Sequence, residues 1–229
     1  MNPTTVDHGI RGSVDRLEEV VRRLDSSSRR RVVVDISMSL DGYVTAAGAD
    51  LDHGLGVGGE VIHDWVMGRR TPRDAEILAE TVERTGAVIM GRRTFDIVDG
   101  PKGWGEEVGY GGKRSQAEAP PVFVVTHTVP EEVRLRDRFR FVTDGLSSAL
   151  DQARAAAGEK DIVIMGGGAI ASAFLRAGLV DVLSIHLAPV VLGDGTPLWP
   201  AGAPLSLQLL HSESTAAAEH LTYRVVSDV

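Results

Sequence analysis

Three consecutive glycines, Gly166–Gly168, stand between a short apolar run and a helical pattern, and they constrain the fold of this chain most strongly. The preceding segment, Asp161–Met165, is apolar and β-branched, which is typical of a strand buried on both faces. Beyond the glycines, Ile170 and Phe174 recur at helical spacing up to Gly178, where a helix commonly ends. The stretch therefore predicts a strand, a tight turn and a helix.

The glycine turn indicates a site for a phosphate or a diphosphate. Glycine lets a ligand approach the main chain closely, and the N-terminus of the following helix offers unpaired N–H groups and a partial positive charge. The pattern Gly166-x-Gly168-x-x-Ala171 matches a relaxed dinucleotide fingerprint, but the acidic residue expected about 20 positions later is missing, which argues against a Rossmann domain. A turn needed only for packing the helix on the sheet is the open alternative.

Strands and helices alternate along residues 31–229, which predicts one α/β domain with three layers and a mostly parallel central sheet. Alternating apolar residues near the C-terminus predict an antiparallel hairpin that closes the sheet. Thr71 and Pro72 mark a helix start. The pattern also favours a helix over Gly59–Gly68 and one long strand from Val180 to Leu192. Residues 1–30 are expected to be a separate arm with a possible short amphipathic helix.

Composition excludes several classes of function. Lys and Arg number 24 against 32 Asp and Glu, and a net charge of −8 argues against a nucleic-acid partner. The absence of cysteine excludes disulfides, thiolate metal sites and cysteine nucleophiles, and we expect no metal site. No apolar run reaches the length of a membrane span, and the N-terminus does not resemble a signal peptide, so we expect a cytoplasmic protein without a membrane partner.

Polar and glycine residues follow three of the predicted strands at the point where each strand ends. They are Gly91 to Thr94 after the first, Thr126 and His127 after the second, and the three glycines after the third. Because the carboxyl ends of parallel strands meet at one edge of a sheet, these segments are expected to converge. Guanidinium and hydroxyl groups beside a glycine turn would suit a dinucleotide with an extra phosphate. Each residue could also have an ordinary surface or capping role.

The motifs Ile89-Met-Gly-Arg-Arg-Thr94, Ile162-Val-Ile-Met-Gly-Gly-Gly168 and Ser39-Leu-Asp-Gly42, in this order, resemble the dihydrofolate reductase superfamily. The segments Leu179-Val-Asp181 and Val191-Leu-Gly-Asp-Gly195 are closer to its bacterial branch that includes the reductase domain of riboflavin biosynthesis. The resemblance covers about residues 31–227. It implies a dihydrofolate reductase-like fold, NADPH as cofactor, hydride transfer to a small-molecule substrate, and a homodimer that uses the C-terminal strands or the N-terminal arm.

The resemblance also implies a set of cofactor-binding residues. Arg92, Arg93 and Thr94 would meet phosphates, and Thr126 with His127 would lie near the adenosine 2′-phosphate. The glycine turn would hold the diphosphate, with an unusual peptide geometry between Gly166 and Gly167, and the backbone of β-strand residues would face the nicotinamide. The complete set is Ile36, Ser37, Val44, Gly91, Arg92, Arg93, Thr94, Thr126, His127, Met165, Gly166, Gly167, Gly168, Ala169 and Ile170.

Candidates for the proton donor are less well marked. Asp64 follows the first long loop, where folate reductases place a carboxylate, and Asp99 lies near the position of an acid in the riboflavin-pathway enzymes. Asp35 is a third acid, and inside a strand it would need a partner or be structural. The threonine that assists the folate-reductase carboxylate corresponds to Ile185. A riboflavin-pathway substrate, 5-amino-6-(5-phosphoribosylamino)uracil, is therefore favoured over a pterin.

Two functions follow from these residues. The first is NADPH-dependent reduction of a small heterocyclic or carbonyl substrate, with Asp64 or Asp99 as the proton donor. The second is a non-catalytic NADP(H)-binding protein with a decayed substrate site, which the loss of a hydroxyl at Ile185 would favour.

Overall fold

The computed structural model describes residues 30–199 and 204–226, and within them lie twelve strands and four α-helices. The strands are β1 (Val32–Ser39), β2 (Tyr43–Ala46), β3 (Thr85–Gly91), β4 (Val108–Gly109), β5 (Gly112–Lys113), β6 (Val122–Val125), β7 (Phe139–Val142), β8 (Asp161–Gly166), β9 (Val182–Ala188), β10 (Gly195–Pro197), β11 (Ser206–Ser214) and β12 (Glu219–Val226). The helices are α1 (Pro72–Arg84), α2 (Arg92–Val98), α3 (Leu146–Ala157) and α4 (Gly168–Arg176).

Eight strands form the central sheet in the order β11-β12-β9-β1-β8-β3-β6-β7. All neighbouring pairs from β9 to β7 are parallel, whereas β12 pairs antiparallel with both β9 and β11. The predicted mostly parallel sheet with an antiparallel C-terminal hairpin is therefore confirmed. Two small antiparallel pairs, β2 with β10 and β4 with β5, lie outside this sheet.

The strands are buried on both faces, which gives three layers. Val32, Val34 and Ile36 of β1 belong to one apolar cluster with residues of α3 and α4. Val33 belongs to a second cluster, formed with residues of α1 and α2. Because side chains alternate along a strand, the two helix pairs cover opposite faces.

Helix α1 begins as the sequence predicts. Thr71 is the N-cap and accepts a hydrogen bond from the Asp74 N–H, while the Asp74 carboxylate accepts one from the Thr71 N–H. This reciprocal capping box satisfies two N–H groups that a helix start leaves unpaired. Asp74 is nevertheless completely buried, which its position in a first turn does not reveal.

Two predicted elements differ from the structure. The segment Gly59–Gly68 contains only a short 3-10 helix, Gly59–His63, followed by turns. The predicted long strand ends at Ala188, before Pro189, because proline has no N–H to donate to a neighbouring strand. The amphipathic helix predicted within residues 1–30 lies outside the described residues. In the described part of the chain, the helices are all too short or too polar to cross a bilayer.

Candidate functional site

The carboxyl ends of β8, β3 and β6 are neighbours, as predicted. Met90 pairs with Gly166 on one side, and Gly91 pairs with Val125 on the other. The sheet edge therefore brings together the glycine turn, the start of α2 and the segment after β6. We call this region, Gly91–Thr94, Thr126–His127 and Gly166–Ile170, the glycine rim.

Helix α4 starts in the glycine rim with an open N-terminus. Its N-cap is Gly167, which makes no side-chain capping bond, and the peptide between Gly166 and Gly167 is cis, in agreement with the unusual geometry that the resemblance implies. A Cβ added at Gly168 would lie 2.7 Å from Val44 Cγ2, so packing against β2 requires this glycine. At Gly167 the nearest atom to an added Cβ is Thr94 Oγ1 at 3.4 Å.

Packing therefore requires a glycine at position 168 but not at position 167. Gly167 has φ −74°, a value that any residue adopts, and an added Cβ there would meet no backbone. A glycine at this position leaves room for a ligand above the α4 N-terminus, where the helix dipole favours an anion.

Two arginines and two hydroxyls adjoin this turn. Arg92 donates to Asp96 Oδ1 at 2.7 Å and to the Thr128 carbonyl at 3.2 Å, and the Arg93 guanidinium donates to the Ala49 carbonyl. Thr126 is buried, and its hydroxyl donates to that same Thr128 carbonyl at 2.9 Å.

The remaining predicted rim residues are arranged around the turn. His127 and Ala169 are exposed, whereas Met165 and Ile170 are partly buried. An exposed alanine at the second position of α4 leaves the helix N-terminus accessible from solvent.

The three residues expected near the nicotinamide do not all face the glycine turn. Ile36, Ser37 and Val44 are all buried. The side chain of Ile36 points toward the rim, since its Cδ1 lies 3.7 Å from a Cβ added at Gly166. The side chain of Ser37 faces the opposite side of the sheet, where its hydroxyl accepts a hydrogen bond from Trp65 Nε1 at 2.8 Å.

Both predicted catalytic acids have polar partners. Asp64 forms an ion pair with Arg69 at 2.8 Å. The Asp99 carboxylate accepts hydrogen bonds at 2.8 Å from the N–H groups of Arg134 and Leu135, so it anchors the loop that precedes β7. A role for either acid in proton transfer stays a prediction.

A third acid, Asp35, begins a chain of buried polar side chains on the α1 side of the sheet. His186 Nε2 lies 3.3 Å from Asp35 Oδ1, and its Nδ1 lies 2.7 Å from His220 Nδ1. His220 Nε2 in turn lies 2.9 Å from Asp74 Oδ1. We call these four residues, Asp35, His186, His220 and Asp74, the His–Asp chain.

The His–Asp chain joins distant segments into one hydrogen-bonded unit. Its members come from β1, β9, β12 and the first turn of α1, and Trp65 stacks on His186 with ring centroids 3.9 Å apart. Within the described residues, no group of three or more His, Cys, Asp or Glu side chains is arranged to hold a metal ion.

Burial and hydrogen bonding set the protonation of the inner half of the chain. Burial would raise the pKa of Asp74, but hydrogen bonds from Thr71, Thr215 and His220 outweigh it and hold that pKa below its usual value. Burial, together with nearby His186, lowers the pKa of His220, and the Asp74 carboxylate offsets this only in part. Near neutral pH, Asp74 is an anion and His220 is neutral.

Sequence reasoning missed this unit. In the sequence, Asp74 indicates only an acid in the first turn of a helix. His220 is only one residue of a strand in which apolar residues alternate. Ile185 packs in the core with Ile36, on the side of α3 and α4. The next residue, His186, is the one that faces Trp65. That a hydroxyl lost at Ile185 marks a decayed substrate site stays a prediction.

The chain matches the family model described as "RibD C-terminal domain" over residues 30–221. It is 25% identical over 179 residues to the uncharacterized protein YyaP of Bacillus subtilis, covering 75% of this chain and 81% of that protein. It is 25% identical over 170 residues to the riboflavin biosynthesis protein RibD of Corynebacterium ammoniagenes, covering 73% of this chain. It spans only 45% of the length of that second relative.

Solved structures agree with this match. A putative riboflavin biosynthesis protein from Shewanella sp. PV-4 superposes with a TM-score of 0.62 at 25% identity, covering 86% of this chain and 99% of that chain. A deaminase/5-amino-6-(5-phosphoribosylamino)uracil reductase from Thermotoga maritima superposes with a TM-score of 0.55, covering 88% of this chain and 58% of that chain. At 16% identity, the second likeness shows the dihydrofolate reductase-like fold alone.

Proposed function

The chain belongs to the RibD C-terminal domain family, and from this membership we propose that it is an NADPH-dependent reductase acting on a small heterocyclic or carbonyl substrate. The observation that carries the proposal is the glycine rim, where an open helix N-terminus adjoins Gly167 and the arginines at the start of α2. A riboflavin-pathway pyrimidine resembling 5-amino-6-(5-phosphoribosylamino)uracil is the substrate class that the family indicates.

The residues present fit a dinucleotide diphosphate. Gly167 and Gly168 would receive the diphosphate at the unpaired N–H groups of α4, because these groups carry the positive end of the helix dipole. Thr94 Oγ1, close above Gly167, would donate to a phosphate oxygen. NADPH, when bound, would supply the hydride, and the protein would supply orientation and electrostatics.

The preference for NADPH over NADH would come from the 2′-phosphate. Arg92 is bound to the Thr128 carbonyl, so its guanidinium lies beside the segment after β6, where Thr126 and His127 are the other candidates for contact. A guanidinium binds a phosphate with two parallel hydrogen bonds, which makes arginine well suited to recognise this group.

Fluorescence titration of the purified protein with NADPH and with NADH tests the proposal. We expect NADPH to bind more tightly than NADH, and Arg92→Ala to weaken NADPH binding about tenfold, the effect of losing roughly 1.4 kcal/mol. Arg154→Ala is the matched control, because this arginine pairs with Asp151 on α3 and its carbonyl accepts a bond from Arg30, at the other end of the sheet.

Absence of binding by either cofactor would refute the reductase proposal. Tight NADPH binding without turnover of pyrimidine or carbonyl substrates would instead support the second function, a non-catalytic NADP(H)-binding protein. Asp64→Asn and Asp99→Asn are the first variants for the proton donor that the family resemblance implies. Loss of turnover with unchanged NADPH affinity in either variant would support that role.

A further inference from the structure

We propose that the His–Asp chain is a proton supply for the reaction, with the Asp35–His186 pair as the donor to the substrate. The proposal rests on the proposed reductase function. It assigns a task to four side chains that the cofactor site does not use: Asp35, His186, His220 and Asp74.

The number of hydrogen bonds in the chain fixes the number of protons that it holds. Its four groups are joined by three contacts of hydrogen-bond length, and each contact needs one proton. Two neutral imidazoles supply two protons, because each carries one N–H. A third proton is therefore needed. Two carboxylates with two neutral imidazoles carry a net charge of −2, and the third proton changes it to −1.

The inner half of the chain decides where this third proton lies. Asp74 is ionised and His220 is neutral, so His220 Nε2 donates to Asp74 and His220 Nδ1 accepts from His186 Nδ1. Only the contact between His186 Nε2 and Asp35 Oδ1 is left, and the third proton lies there. The transferable proton is consequently at the outer end of the chain.

The outer end is also the end that a substrate can reach. The Asp35 side chain is 20% exposed, whereas Asp74 and His220 at the inner end are buried. Asp35 and Ser37 point to the same face of β1, because residues two apart in a strand share a face. Ser37 belongs to the set expected near the nicotinamide, and its hydroxyl binds Trp65, which stacks on His186.

The reaction step balances with this one proton. Reduction of a C=O or C=N bond forms a C–H bond with the hydride that NADPH would supply, and the electron pair of the broken π bond moves to the heteroatom. That heteroatom takes the proton shared by Asp35 and His186, which leaves Asp35 as a carboxylate beside neutral His186. Water at the exposed Asp35 oxygen can then return a proton to the pair.

Other titratable groups face the chain and set its electrostatics. His63, on the 3-10 helix, lies near His186, and burial and this neighbour lower the pKa of His63 to about 4, so it is neutral at pH 7. Burial and the charge of Asp35 raise the pKa of Tyr110, which also stays neutral. Glu213 of β11 lies near His220 and pairs with Arg73. Among these neighbours, His63 and Tyr110 are therefore neutral at pH 7, and Glu213 is an anion held by Arg73.

The first test places the proton directly and needs no cofactor. Long-range ¹H–¹⁵N spectra of the protein labelled in histidine would show at pH 7 which ring nitrogens of His186 and His220 carry a proton. We expect His220 to carry a proton only on Nε2, and His186 to carry one on Nδ1 together with the proton that its Nε2 shares with Asp35. In Asp35→Asn the amide can donate to His186 Nε2, so the shared proton should be absent there. The same ¹⁵N pattern for His186 in both proteins would overturn the proposal.

The second test separates proton delivery from hydride transfer. NADPH oxidation would be followed with 4-nitrobenzaldehyde, which needs a proton, and with the N-methylacridinium cation, which accepts a hydride without one. Asp35→Asn should lower kcat for the aldehyde about 100-fold, the scale of general acid catalysis, and leave the acridinium rate and the Kd of NADPH within about twofold. Asp151→Asn, on the exposed face of α3, is the matched control.

Each outcome assigns the failure to one of the two proposals. A wild-type protein that does not bind NADPH refutes the reductase function. If the wild-type protein binds NADPH but reduces the aldehyde no faster than Asp35→Asn, only the proton-supply proposal is refuted. Loss of both the aldehyde and acridinium rates in Asp35→Asn would also overturn it, because that pattern means damaged cofactor or substrate binding.

Discussion

The indole of Trp65 stacks on the imidazole of His186, with ring centroids 3.9 Å apart and planes inclined by 28°. The indole Nε1 also donates to Ser37 Oγ at 2.8 Å. Trp65 is only 4% exposed. Its buried indole thus makes a stacking contact with His186 of β9 and a hydrogen bond with Ser37 of β1.

Removing this indole should destabilise the protein strongly. We expect Trp65→Ala to lower the free energy of unfolding by about 3–5 kcal/mol, because a large buried side chain leaves a cavity, and Trp65→Phe to lose less. Urea denaturation at pH 7 measures both variants. Trp199→Ala is the control, since Trp199 is 42% exposed and should change this free energy by less than about 1 kcal/mol. A similar loss in both alanine variants would contradict the packing role of Trp65.

An acidic residue at the second position of α4 should stabilise the free protein and weaken cofactor binding. Ala169 is exposed and follows the N-cap Gly167 by two residues. In Ala169→Asp the carboxylate should stabilise the free protein by about 0.3–1 kcal/mol through the helix dipole. The same charge should repel a diphosphate and weaken NADPH binding at least about tenfold.

The matched control for Ala169→Asp is Ala169→Asn, which has nearly the same shape without the charge. Thermal unfolding and NADPH titration would be measured on both variants. Equal NADPH affinity in the two variants would mean that no anion binds at the α4 N-terminus.

The sheet could be predicted from the sequence because its signals are local. The apolar run Asp161–Met165 and the helix start at Thr71 each depend on neighbouring residues, and both are found where they were expected. The segment Gly59–Gly68 was misassigned because its apolar residues have helical spacing while the backbone forms only one 3-10 turn and then irregular turns. Trp65 of this segment is buried against other elements, and tertiary contacts of this kind can override local propensity.

The His–Asp chain could not be predicted for the opposite reason. Its contacts join residues 34, 146 and 151 positions apart, and no spacing in the sequence signals them. The pairing of β9 with β12 sets His186 opposite His220, and the position of α1 brings Asp74 under that pair. The glycine rim could be predicted because the carboxyl ends of parallel strands lie at the same edge of a sheet.

Dimer formation through the C-terminal strands or the N-terminal arm stays a prediction.

The ion pair between Arg73 and Glu213 should stabilise the fold at neutral pH and not in strong acid. Arg73 Nε and Nη2 donate to the two Glu213 oxygens at 2.6 and 3.0 Å, which links α1 to β11. These hydrogen bonds lower the pKa of Glu213 to about 2. Because the folded pKa lies below the unfolded value of about 4.3, the stabilisation is present above that value and is lost as the pH falls to about 2.

Thermal unfolding of Glu213→Gln tests this dependence. We expect a lower Tm than the wild type at pH 7 and a difference that shrinks as the pH falls from about 4.3 to about 2. Glu76→Gln is the comparison, because its carboxylate is 63% exposed and makes a single contact with Arg73. A constant Tm difference for Glu213→Gln across this range would show that the charge of Glu213 contributes nothing.

His63 should make the protein lose stability between about pH 6.5 and pH 4. Burial and nearby His186 lower its pKa to about 4, so in this range the unfolded chain binds a proton that the folded protein does not. The stabilisation that neutral His63 contributes is therefore fully present above about pH 6.5 and is lost as the pH decreases to about 4.

In His63→Gln this ionisation is absent, and we expect the loss of unfolding free energy on acidification to be smaller by on the order of 2 kcal/mol. Urea denaturation at pH 7, 6, 5 and 4.5 measures it, with exposed His127→Gln as the control. If wild type and His63→Gln lost stability in parallel, His63 would bind its proton at the same pH in the folded and the unfolded protein, and burial would not lower its pKa.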